Sequence, residues 1–108
     1  EIKVATKSKD REYFLKEAIN LINGDRAKDY GDAYENHQRI ADMWNVIISA
    51  ALKKYGKVLP AHVCLMMDAL KTARLCFDIE HVDSWIDKGG YTGLGGEFTE
   101  KEKHDKNL

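Results

Sequence analysis

Apolar positions along the chain recur at three- and four-residue spacing and never in a sustained alternation, and only one proline interrupts them, so the pattern predicts helices. Four can be placed. The first runs from about Asp10 to Asn23, with Phe14, Ala18, Leu21 and Ile22 on one face, and Gly24 is expected to supply a left-handed stop. The second begins at Asp32, a capping residue with Glu35 three positions on, as in a capping box. Its apolar stripe is Ile40, Ala41, Trp44, Ile47, Ile48, Ala51, Leu52 and Tyr55. The third opens on Pro60, a residue suited to a first helical turn, and is apolar almost all round to Phe77 except for a polar stripe of Asp68, Lys71 and Arg74. The fourth covers roughly Glu80 to Glu97 and holds Gly89, Gly90, Gly93, Gly95 and Gly96. Each glycine costs about 1 kcal/mol relative to alanine unless it permits close packing. The charged tail from Thr99 to Leu108 and the stretch before Lys9 are expected to fray, leaving an ordered core over residues 10–98.

The expectation is therefore all-α: the 108 residues form one domain of four helices, a bundle that buries its surplus apolar surface by assembling into a homo-oligomer. Lys+Arg 17 against Asp+Glu 18 leaves a net charge of -1, which argues against duplex nucleic acid or an anionic membrane as partner and favours a small anion met by a local cluster. Cys64 and Cys76 both fall on the third helix, roughly 18 Å apart along its axis, too far to pair with each other. They read as buried free thiols of a reducing compartment. With no apolar run of about 18 residues and no signal-like opening, the expected location is the cytoplasm.

Charges on a core helix are costly unless paired. Either Asp68 pairs with Lys71 along a solvated edge of the third helix, or Lys71 and Arg74 face inward to an anion, Arg as a planar fork and Lys as a point charge. On the fourth helix Asp83, Asp87 and Tyr91 are spaced four apart and share a face. The two carboxylates suit a divalent ion or the neutralisation of Lys71 and Arg74. Trp85 and Tyr91 suit stacking on a nucleobase, and Trp85 equally suits a core or a dimer interface. The loop from Asp25 to Asp32 sets Arg26, Lys28 and Tyr30 before the amide-rich start of the second helix; its competing reading is a structured turn in which Gly31 takes positive φ. Asn36 and His37 lie in that helix's first turns, within reach of a ligand there. His62, His81 and His104 lack ligand spacing, so no structural zinc is expected, and there is no phosphate loop, nucleophile elbow or dinucleotide fingerprint.

Gly24-Asp25-Arg26, Lys28-Asp29-Tyr30-Gly31-Asp32, Asn36, Ile40-Ala41-x-x-Trp44, Lys71-x-x-Arg74 and Asp83-Ser84-Trp85-Ile86-Asp87-x-x-Gly90-Tyr91 together resemble a family of small helical phage and prophage proteins of unknown function, over roughly Phe14 to Glu97. More distantly the pattern resembles the MazG-type all-helical nucleotide pyrophosphatases, which implies an oligomer acting on nucleotides with magnesium. The Glu-x-x-Glu and Glu-x-x-Asp of that superfamily's metal cage have no counterpart here, since Glu17 and Glu35 lack partners and Asp83 and Asp87 stand four apart. The leading expectation is thus a non-catalytic binder of a nucleotide or nucleotide-derived signal, resembling a phage sponge that sequesters a messenger of host defence. Its ligand residues would be Arg26, Lys28, Tyr30, Asn36, His37, Lys71, Arg74, Asp83, Trp85, Asp87 and Tyr91, with no cofactor. One alternative is a divergent magnesium-dependent pyrophosphatase with the metal on Asp83 and Asp87; the other is an interaction protein that inhibits a host partner.

Overall fold

A computed structural model describes residues 8–24 and 31–104, and among them the architecture is all-α, with no strand. The chain divides into two compact units, residues 1–31 and 32–108. In the first, helix α1 spans Arg11–Asn23, and the Asp10 carboxylate accepts from Tyr13 N at 3.0 Å, satisfying one of the orphan amides of its first turn. No residue of α1 is buried: Phe14, Ile19 and Ile22 remain exposed. Gly24 does not make the left-handed stop expected of it, since its φ is -107°. Glycine suits the position for another reason, because a Cβ there would lie 2.9 Å from the Asn20 carbonyl oxygen.

The second unit holds α2 (Ala33–Tyr55), α3 (Pro60–Phe77) and α4 (Val82–His104). Asp32 caps α2 by accepting from Glu35 N at 2.9 Å, and Gly31 before it takes positive φ (66°), as the turn reading required. At the other end Gly56 is left-handed (φ 72°) and its N–H closes on Leu52 O at 2.9 Å, with Lys53 and Lys54 placed favourably for the helix dipole. The start of α3 is capped differently. Leu59 carries no acceptor, so His62 reaches back and takes the Leu59 N–H on Nδ1 at 3.0 Å. The Ala61 N–H, a further orphan, donates to Glu102 Oε1 at 3.2 Å.

That last bond explains why α4 outruns its expected end at Glu97. The charged tail is not frayed through His104, because Glu102 is drawn to the positive end of α3. Helix α3 is central: α2 and α4 both pack on it and scarcely touch each other. The buried apolar residues are Ile40, Ala51, Leu59, Cys64, Ala69, Ala73 and Leu75, three of them alanine, so the helices approach closely but bury few large side chains. Of the five glycines in α4 only Gly95 closely faces another element among the described residues; a Cβ there would stand 3.3 Å from Cys64 Cβ. Cys64 is buried as expected, whereas Cys76 is exposed, because α3 is not covered all round: Val63, Leu65 and Phe77 also face solvent. Among the described residues no helix is long and apolar enough to cross a membrane.

Candidate functional site

The polar stripe of α3 divides between its two neighbours. Toward α4, Asp68 is held not by Lys71, three residues along its own helix, but by Lys88 of α4 at 2.9 Å, while Lys71 meets Asp87 at 3.0 Å. Lys88 Nζ also donates to Thr72 Oγ1 at 2.5 Å, and Thr72 Oγ1 donates to the Asp68 carbonyl at 3.1 Å. The antiparallel pairing of α3 with α4 causes this: with Cys64 beside Gly95, residues 68–72 come level with residues 87–91, and the amines reach across more directly than along the helix. Two cations and two carboxylates thus compensate one another in a half-exposed seam. Lys88 is the charged residue of this seam that the sequence reading passed over. It shares a face with Ser84, Tyr91 and Gly95, and that spacing was its signal.

Arg74 belongs elsewhere. The Trp44 indole N–H donates to the Met66 carbonyl at 2.6 Å and fixes the level of α2 on α3. The connection from Gly56 to Leu59 is short, so the helices run antiparallel. Eight residues back along α2 is Asn36 and eight forward along α3 is Arg74, each about 12 Å from the anchor at 1.5 Å per residue. The two polar side chains therefore lie at one level, and both are deeply buried, Asn36 at 4% exposure and Arg74 at 3%. Asn36 Oδ1 has no hydrogen-bond partner among the described residues. A buried carboxamide oxygen is normally satisfied, and leaving it without a donor costs about 1–3 kcal/mol.

The remaining candidates are placed as follows. His37 is exposed, and its Nδ1 lies 2.6 Å from the Ala33 carbonyl, so Nδ1–H donates into the first turn of α2 and Nε2 points away. Asp83 is exposed, and Asp87 is engaged by Lys71. Trp85 is half-exposed and anchored by its indole N–H on the Ile79 carbonyl at 2.9 Å; it is not core. Tyr91 is half-buried beside Cys64, where both line two shallow clefts on either side of the α3–α4 contact. Arg26, Lys28 and Tyr30 lie outside the described residues. Among the described residues no three His, Cys, Asp or Glu side chains gather as a metal site. At the start of α4, His81 Nδ1 receives both the Ser84 hydroxyl (2.7 Å) and the Ser84 N–H (3.3 Å), a local cap around the almost fully buried Ser84.

Comparison with known proteins places the chain in a family. It belongs to the domain of unknown function DUF6378, whose profile matches residues 13–99. It is 44% identical over 80 residues to the Gene 55 protein of Mycobacterium phage L5, covering 74% of this chain and 48% of that protein. It is 37% identical over 82 residues to the Gene 55 protein of Mycobacterium phage D29, covering 76% and 50%. The chain thus spans about half the length of the curated relatives it matches. No solved structure gave a significant match. The phage resemblance read from the motifs is supported in this coarse form, a phage protein family without an assigned function.

Proposed function

We propose that this member of a phage protein family binds a small nucleotide or nucleotide-derived messenger without turning it over, and that Asn36 and Arg74, between α2 and α3, are its first contacts. The observation that carries the reading is the buried Asn36 carboxamide whose Oδ1 meets no donor among the described residues. A nucleobase amino group is a donor of the right kind, and a guanidinium at the same level suits a phosphate. The seam between α3 and α4 plays a smaller part than its charges suggest, because Lys71 and Lys88 already face Asp87 and Asp68. In a phage setting such a protein acts in the host cytoplasm as a sink for the messenger.

Isothermal calorimetry with a panel of cyclic nucleotides and nucleoside triphosphates tests this. Binding by the wild type is expected, with loss of at least tenfold in affinity for Asn36→Leu; the absence of binding across the panel at tens of micromolar removes the reading. Arg26→Ala and Lys28→Ala, tested in the same assay, decide whether the loop before α2 contributes. The magnesium-dependent pyrophosphatase reading requires Asp87 to leave Lys71, and it is abandoned if triphosphates stay unchanged after long incubation with magnesium. The compensated α3–α4 seam, together with the exposed apolar residues of α4, favours a second reading as an interaction protein.

A further inference from the structure

Helix α4 has a second face that no other described residue covers. Val82, Trp85, Ile86, Gly89, Gly93 and Gly96 fall within an arc of about 100° around the helix, opposite Ser84, Lys88, Tyr91 and Gly95, which face α3. The N-terminal half of this arc is bulky and exposed, with Val82 at 64%, Trp85 at 51% and Ile86 at 65%. Its C-terminal half is glycine, and a Cβ built on Gly89, Gly93 or Gly96 would meet nothing within 4 Å. Close contact with α3 explains Gly95, yet the other three weaken the helix and leave space that no described residue fills.

We propose that this face is a homodimer interface in which α4 crosses its copy antiparallel about a two-fold axis at Gly89. An axis there brings residue i level with residue 178 minus i, so Val82 comes level with Gly96 and Trp85 with Gly93, each in both directions. The bulky half of one helix fills the hollow half of the other, and a face with one hollow and one ridge in this order is complementary to itself, as a two-fold contact demands. Trp85 is prepared for the role. Its indole N–H is already fixed on the Ile79 carbonyl, so little side-chain freedom is lost when its ring is covered. Ile79, at 70% exposure, extends the ridge. Covering these four side chains and the glycine stripe on both copies buries on the order of 1,000 Å² in total, the lower bound for a specific interface. The dimer is accordingly concentration-dependent.

Sedimentation equilibrium of the full chain from low to high micromolar concentration is expected to show monomer passing to dimer. Gly93→Leu, at a position where an added Cβ meets nothing within 4 Å among the described residues, should remove the dimer while circular dichroism shows unchanged helix content. Gly93→Ala separates interface from fold: it should raise the melting temperature of the monomer at low concentration and weaken dimerisation at least fivefold. Gly89→Cys in a Cys76→Ser background should cross-link to its own copy on oxidation. A wild type that stays monomeric at the highest concentration overturns the proposal, and so does a dimer that both Gly93 variants leave intact.

Discussion

Helix α3 meets its two neighbours by opposite means. Against α4 its polar groups are half-exposed and each charge finds an opposite charge on the other helix, Lys71 with Asp87 and Lys88 with Asp68. Against α2 it is sealed by small side chains, with Ala73 and Ala51 fully buried, and the polar groups at this end of the chain, Arg74 and Asn36, are withdrawn from water. A polar group in a half-exposed seam can fall back on solvent when its partner is lost. One withdrawn from water cannot, which is why the proposed ligand contact rests on the Asn36 oxygen, without a donor among the described residues, and not on the four compensated charges of the other seam.

Four substitutions test the contrast, beginning with the largest expected effect. Ala73→Leu should destabilise the fold by about 3 kcal/mol, since a fully buried alanine has no room for three more carbons, and chemical denaturation would register the fall in midpoint. A loss below about 1 kcal/mol would mean that the close approach around Ala73 is loose. Lys88→Ala should cost about 2 kcal/mol, because it strips both Asp68 and Thr72 of a charged donor in the less exposed of the two pairs. Asn36→Leu should act in the other direction and raise the stability of the ligand-free protein by about 1 kcal/mol, as removal of an unsatisfied buried oxygen predicts. Destabilisation there would show that the chain itself satisfies the carboxamide, and would sink the binding role. Lys71→Ala should be smallest, under about 1 kcal/mol and diminished further by salt, because Asp87 is 46% exposed in that pair. If Lys71→Ala proves costlier than Lys88→Ala, the ranking by exposure fails.

Much of this molecule was legible before any coordinates. Asp10, Asp32 and Pro60 marked helix starts where the backbone places them, because a cap is decided by groups within four residues of each other. The apolar spacing identified four helices for the same reason. Pairing was left open by that local rule: Asp68 and Lys71 are neighbours on a helical wheel, yet each found a partner across the seam, and for Lys71 it is Asp87, one of the two α4 acids that the spacing also offered to neutralise it. Gly24 looked like a left-handed stop and is instead a point of close approach to the Asn20 carbonyl. The tail after Glu97 looked too charged to hold a helix, and the amide of Ala61 holds it through Glu102, 41 positions away.

Candidate chemistry followed the same division. Residue types suited to a nucleotide, Asn36, Arg74, Trp85 and Tyr91 among them, could be named from the chain, because donors, acceptors and aromatic faces are properties of single side chains. Which of these share a level, which are withdrawn from water and which are already compensated depends on the axial register and rotation of one helix against another. Here those are set by a few distant contacts, the Trp44 indole on Met66 and Gly95 against Cys64. No periodicity encodes such contacts, since the energy that selects the register is spread over whole faces and is realised only when the helices meet.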